Sequence, residues 1–187
     1  MLRTVAAILF IALSAGTAWS SSLSLNFNDD SAQFEYLHLL SREAYGESNA
    51  RLRLLFEDDT DTFLGSAGAG VKGSPGNLPG LETEVMVSAF SSKIEGEKLL
   101  SIGVGLGVDY APPSLGGLGV TAGIHYGPKV FTFLDAEDYL ETTVGLRYFM
   151  MTNAALTLAY QNILVDFDAY GDVRLDDSVR IGVRIDF

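Results

Sequence analysis

The sequence lacks several features that would point to common protein classes. It has no cysteine, which excludes both disulfides and a lipid anchor on a cysteine after the signal. No apolar run reaches the ~20 residues that a membrane-spanning helix needs. The net charge is −12, and this sign disfavours a nucleic acid as a partner, because phosphate backbones attract basic proteins.

Residues 1–20 have the three parts of a secretory signal peptide. A basic start, MLR, precedes an apolar core of about ten residues, and Ala18 and Ser20 stand at the small-residue exit. The core is too short for an uncleaved spanning anchor. We therefore expect export, cleavage after Ser20 and one mature domain over residues 21–187.

Along much of the sequence, apolar residues alternate with small or polar ones. This period of two residues is typical of a β-strand. In LLSIGVGLGVDY, apolar side chains from Leu100 to Tyr110 share one face, and the other face carries three glycines with Ser101 and Asp109. A soluble sheet has a crowded buried face and a charged exposed face. A nearly empty second face indicates a narrow interior and an apolar exterior, as in a membrane β-barrel.

Ten such segments follow one another along the chain, each near the ~9–11 residues that a tilted spanning strand needs. The sequence therefore predicts an all-β fold, an antiparallel up-and-down transmembrane β-barrel of ten strands. Eight strands are the alternative, because the first segment, SLSLNFN, is short. We expect the barrel to be a monomer.

The gaps between the predicted strands alternate between acidic sequences and sequences of turn-forming residues. Those after odd-numbered strands, such as EDDTDT, TFLDAED and DFDAYGDVRLDD, hold 16 of the 24 acidic residues, whereas the others, such as KGSPGNLPG and MTNA, hold turn residues. We expect the acidic gaps to be outer loops that meet outer-membrane lipid and lipopolysaccharide, and the turns to face the periplasm. The spacing in DFDAYGDVRLDD is similar to a calcium loop, but Tyr170 at a ligand position favours a solvated acidic hairpin.

Strand parity places eight charged side chains in the barrel interior. Buried charges need partners, so these residues predict an ion-pair network in the lumen. They are Glu35, Arg51, Arg53, Glu84, Glu141, Arg147, Arg180 and Arg184. We interpret the network as filling a narrow barrel with a structural or undefined envelope role. The alternatives are a narrow channel for ions or small solutes and a soluble periplasmic β-domain that binds a ligand.

The last segment, VRIGVRIDF, keeps the strand period to its final aromatic residue. In outer-membrane barrels, a last strand that ends in Phe is the segment that the barrel assembly machinery recognises. We assign this assembly signal to Val179, Ile181, Val183, Ile185 and Phe187.

Catalysis has little support in the sequence. The two histidines, His38 and His125, stand in no spacing that pairs a nucleophile or a carboxylate with them. We expect the protein not to be an enzyme, and to need no cofactor and no metal.

Three stretches of the C-terminal half resemble the YfaZ family of outer-membrane proteins. They are VDYAPPSL, FTFLDAEDYLETTVGLRYFM and LAYQNILVDFDAYGDVRLDDSVRIGVRIDF, and the resemblance covers about residues 100–187 together with the signal peptide. It implies a small barrel in the outer membrane of a Gram-negative bacterium. The family offers no catalytic motif to transfer.

If the chain is an outer-membrane barrel, we expect the detergent-extracted protein to change its gel mobility on boiling, because a closed barrel resists unfolding by detergent alone. The same band should appear in the outer-membrane fraction. An unshifted band in the soluble periplasm would contradict the barrel.

Overall fold

The computed structural model describes residues 21–58, 62–76, 78–94, 97–167 and 171–187, and most of these residues lie in β-strands. No helix in these ranges is long and apolar enough to cross a membrane. The expected signal peptide, residues 1–20, lies outside them. The strands are β1 (Ser21–Phe27), β2 (Ser31–Glu43), β3 (Gly46–Glu57), β4 (Thr62–Gly73), β5 (Leu81–Ile94), β6 (Glu97–Tyr110), β7 (Leu118–Gly127), β8 (Thr132–Leu134), β9 (Ala136–Met151), β10 (Ala154–Phe167) and β11 (Gly171–Asp186).

These strands close into an antiparallel ring with ten positions. Consecutive strands pair with each other from β1 to β7 and from β9 to β11, β7 pairs with β9, and β1 pairs with β11. At the closing pair, the Ser21 N–H donates to the Phe187 carbonyl (2.7 Å) and the Phe187 N–H donates to that of Ser21 (2.8 Å). The predicted ten-stranded barrel is confirmed, and the eight-stranded alternative is wrong.

One position of the ring is shared by two strands, β7 and β8. β7 pairs with residues 104–110 of β6, and β8 pairs with residues 99–101 of the same strand. Between them Pro128, which has no N–H to donate, leads into a 3₁₀ turn at Lys129–Phe131. The expectation that Thr132–Leu134 belong to an acidic loop is therefore wrong, because the strand resumes after this turn.

The longest acidic gap is also mostly strand. β10 and β11 remain paired up to the Phe167–Gly171 pair, with a bulge that leaves Leu175 without a partner. The segment DFDAYGDVRLDD is thus an extended hairpin in its described part. Nowhere in the described ranges do three or more His, Cys, Asp or Glu side chains come together as metal ligands.

The barrel wall has an apolar exterior and a small or polar interior over most of its height. On β6 the inward residues Ser101 and Gly103 are buried, whereas the outward residues Ile102, Val104 and Leu106 are 42–54 % exposed. A soluble β-sandwich would bury the apolar face instead. An exposed apolar wall is typical of strands that face lipid.

The connections lie at two ends, which we name after their composition. The acidic end holds the connections β1–β2, β3–β4, β5–β6, β8–β9 and β10–β11. The turn end holds the connections β2–β3, β4–β5, β6–β7 and β9–β10, together with Ser21 and Phe187.

Close packing at the ring closure gives a prediction about stability. Gly182 of β11 faces inward, and a Cβ there would collide with the Leu25 carbonyl and the Asn26 side chain of β1. We expect Gly182→Ala to lower the free energy of unfolding by about 1–3 kcal/mol, measured by urea titration of the boiling-sensitive gel band. Gly123→Ala is the control, since its Cβ would lie 3.7 Å from the nearest atom. Equal midpoints for the two variants would contradict the predicted strain.

Candidate functional site in the barrel interior

Apolar side chains fill the interior near the acidic end. They point inward from the strands and are at most 5 % exposed, and the rings of Phe90 and Tyr139 stack with their centroids 4.4 Å apart. We call this group the apolar cluster. Its members are Leu55, Leu64, Phe90, Leu99, Ala136, Tyr139, Ile163, Val165, Phe167 and Leu175.

A buried ion pair lies directly below the apolar cluster, towards the turn end. Arg53 of β3 reaches across the lumen and donates from Nη2 to Oε2 of Glu141 on β9 at 2.7 Å. Glu141 also accepts from the Tyr139 hydroxyl (2.5 Å) and from Nε2 of Gln161 (2.7 Å). A carboxylate with three donors is well compensated for its burial, so this pair is a rigid crosslink between opposite walls.

Arg180 of β11 extends this crosslink to a third wall. It donates from Nη1 to Gln161 Oε1 (2.6 Å) and from Nε to Ser31 Oγ (2.6 Å), and it is 2 % exposed. Its Nη1 lies 2.7 Å from Asp176 Oδ2, and its Nη2 lies 3.5 Å from Glu57 Oε2. Gln161 therefore joins the two arginine centres into one network, which we call the charged layer: Arg53, Glu57, Glu141, Gln161, Asp176 and Arg180.

Three further ion pairs stand on the wall nearer the turn end. Arg51 donates from Nη2 to Glu84 Oε2 at 2.7 Å, and its Nε lies 3.9 Å from Glu35. The second pair is Arg147 with Asp109, and the third is Arg184 with Asp186. These pairs neutralise the wall without crossing the lumen.

A cavity of about 330 Å³ occupies the turn-end half of the interior. It extends from Lys72 and Asp186 at the rim to Arg53, Glu141 and Arg180 of the charged layer. Phe90 is the one member of the apolar cluster that lines it. The cavity is therefore a cup that opens at the turn end and ends inside the barrel.

All eight charged residues predicted for the lumen face the interior, but they do not all pair with one another. The structure brings together Arg51 with Glu35 and Glu84, and Arg53 with Glu141. The remaining three arginines use partners that we did not assign to the network. These partners are Asp109 for Arg147, Glu57 and Asp176 for Arg180, and Asp186 for Arg184.

The five side chains of the predicted assembly signal point outward from β11, and each is 38–55 % exposed. The histidines lie elsewhere. His38 has its Nδ1 3.0 Å from the Ser21 hydroxyl, and His125 meets the Phe90 ring edge-on at 5.7 Å between centroids. Assembly recognition and the absence of catalysis both stay predictions.

Three aspartates stand side by side on adjacent strands at the acidic end. Asp166 of β10 pairs with both Asp138 of β9 and Asp172 of β11. Part of the negative charge of this end is therefore fixed on strands.

The family comparison covers nearly the whole chain: a family model described as YfaZ precursor matches residues 2–187. Among solved structures, the chain is similar to KdgM porin in complex with disordered oligogalacturonate, with a TM-score of 0.51 and 10 % identity over 90 % of this chain and 99 % of that chain. It is also similar to the outer membrane channel DcaP of Acinetobacter baumannii, with a TM-score of 0.48 and 12 % identity over 89 % and 62 % of the two chains. No curated protein sequence matches the chain. At 10 % identity, the likeness to KdgM porin shows a shared barrel fold.

The Arg53–Glu141 pair gives a prediction that a double-mutant cycle checks. Arg53→Met leaves Glu141 buried without its cation, and we expect a loss of about 3–5 kcal/mol in the free energy of unfolding. Arg53→Met combined with Glu141→Leu should lose less than the sum of the two single variants, because no unpaired charge remains. Arg42→Met is the control, since the Arg42–Glu47 pair is exposed and should cost below about 1 kcal/mol. Additive losses at positions 53 and 141 would show that the pair is not coupled.

Proposed function

The chain belongs to the YfaZ family, and from this premise we propose that it is a closed barrel of the bacterial outer membrane with a structural role in the envelope. The apolar exterior supports membrane insertion. The soluble ligand-binding alternative has no support in a wall whose large outward side chains, such as Leu106 and Val144, are more than half exposed.

We place the acidic end at the cell surface and the turn end in the periplasm. Bacterial outer-membrane barrels project furthest at the cell surface, and in this chain the β10–β11 hairpin of the acidic end stays paired up to Phe167 and Gly171, whereas Ser21 and Phe187 both lie at the turn end. Export by the signal peptide and recognition of β11 by the barrel assembly machinery belong to the same proposal. So does the monomeric state, because a closed ring leaves no strand edge for a second copy.

The observation that carries the structural role is the filled outer half of the lumen. An eight-stranded barrel is just wide enough for side chains to fill, and the diameter grows with the number of strands, so a ten-stranded barrel is filled only where its inward side chains are large. Here the apolar cluster and the charged layer stand between the cup and the acidic end. Ions entering the cup from the periplasm would meet the crosslink of Arg53 and Glu141 and then stacked aromatic rings.

A narrow channel is the second candidate, and the cup is the observation that favours it. A channel would need the ion pairs of the interior to rearrange, so that Arg180 of the charged layer or Arg147 on the wall changed partners while ions passed. The bound ligand named for KdgM porin gives this candidate little help, since an oligogalacturonate is an anion and would have to pass the acidic residues around the mouth of the lumen at the acidic end.

Conductance across planar bilayers separates the two candidates. We expect the boiling-sensitive wild-type protein to give no discrete steps, and Phe90→Ala combined with Tyr139→Ala to give steps, because their stacked rings close the lumen above the cup. Phe56→Ala with Phe63→Ala is the matched control, since this cross-strand pair faces outward. Steps in the wild type that change in size with Arg147→Ala or Arg180→Ala would favour the channel and contradict the closed barrel.

A further inference from the structure

Two lysines differ from every other Lys and Arg in the described ranges because they form no ion pair. Of the eleven Lys and Arg residues there, nine form an ion pair with an Asp or Glu side chain. The exceptions are Lys93 and Lys98, neither of which lies within 4.0 Å of a carboxylate of these ranges. In a chain with twice as many acids as bases, two unpaired cations are unexpected.

These two lysines are neighbours. Lys93 of β5 and Lys98 of β6 are directly opposite each other in the hairpin at the acidic end, and both are exposed. Side chains in such a pair have Cβ atoms roughly 4.5–5.5 Å apart, and like charges in this arrangement are destabilising. Two acids adjoin the pair: Asp135 accepts from the main-chain N–H of Lys98 at 2.9 Å, and Glu97 precedes Lys98 on β6, but neither forms an ion pair with a lysine of the pair. The pair is therefore left to attract an anion from outside the chain.

The pair lies at the upper edge of the apolar wall. The next outward pair towards the turn end is Ser91 with Leu100, and the one after it is Ala89 with Ile102. Lys98 and Leu100 are consecutive outward residues of β6, so a positively charged position is followed immediately by an apolar one.

A group of exposed apolar side chains, which we call the apolar step, lies beside the lysines on the same side of the barrel. Leu100 is opposite Phe133 of β8, which is 46 % exposed. Phe131, in the turn between β7 and β8, and Leu134, the last residue of β8, are 53 % and 60 % exposed. Two lysines next to this group of exposed apolar side chains fit an amphiphile that has an anionic headgroup and acyl chains.

We propose that Lys93 and Lys98 bind the phosphate of a phosphorylated glycolipid in the outer leaflet, with its acyl chains along the step of Leu100 and Phe133. The inference rests on the proposed orientation, with the acidic end at the cell surface. A phosphomonoester carries about −1.5 to −2 charges at neutral pH, which matches two ammonium groups. A phosphodiester headgroup carries one charge and leaves one lysine unmatched.

The test measures lipid adducts on the folded full-length barrel by native mass spectrometry in neutral detergent. The probes are diphosphoryl lipid A, the same lipid after enzymatic dephosphorylation, phosphatidylglycerol and inorganic phosphate. We expect the wild type to retain diphosphoryl lipid A in preference to the other three. Lys93→Gln combined with Lys98→Gln should lower that retention at least tenfold.

The matched control is Lys72→Gln combined with Lys129→Gln, which removes two lysines that are paired with Glu82 and Glu137. It should retain the lipid as the wild type does, and both double variants must keep the boiling-dependent gel shift. Equal retention by the Lys93/Lys98 variant would overturn the proposal. Equal binding of phosphatidylglycerol, inorganic phosphate or the dephosphorylated lipid would overturn the assignment to a glycolipid phosphate. A conducting wild type would contradict the closed barrel and leave this result unchanged.

Discussion

Pairing between β1 and β11 is the constraint on which the rest of the structure depends. In a hydrocarbon environment an unpaired N–H or C=O costs several kcal/mol, so a spanning sheet must close on itself. The closing pair runs from Ser22–Asp186 to Phe27–Ile181 and is joined at the turn end by the two hydrogen bonds between Ser21 and Phe187. The first and last strands therefore stabilise each other, and the glycine at 182 lets their backbones approach.

The small diameter of the ring determines which side chains contact one another in the interior. Side chains from opposite walls meet in the lumen, so each charge near the middle must find a partner there. Arg53 and Arg180 do so through Glu141, Gln161, Asp176 and Glu57. Towards the acidic end the inward side chains become apolar, and this half of the barrel is packed like the core of a soluble protein. The wall is thus apolar outside over most of its height, whereas its inner face changes from polar to apolar towards the acidic end.

The barrel fold and the inward position of the charged residues could be predicted from the two-residue period of the strands and from which residues share a face. The alternation in β6 gives the barrel, and parity alone places Arg53 and Glu141 inside. Parity does not give register, so it could not show that Arg180 meets Glu57 and Asp176, which fell in predicted gaps. The apolar cluster was missed because the strands continue past the lipid-facing band. A signal was present in β10, where the inward residues change from Thr157 and Gln161 to Ile163 and Val165.

In the described ranges, the apolar side chains that fill one half of the lumen all come from strands. Every member of the apolar cluster lies in one of the strands β3 to β6 or β9 to β11, and none lies in a connection. The described residues of the acidic-end connections add no side chain to this cluster. Under the proposed orientation, sequence changes in those residues, of the kind that antibodies or phages select at a cell surface, would leave the apolar filling of the lumen intact.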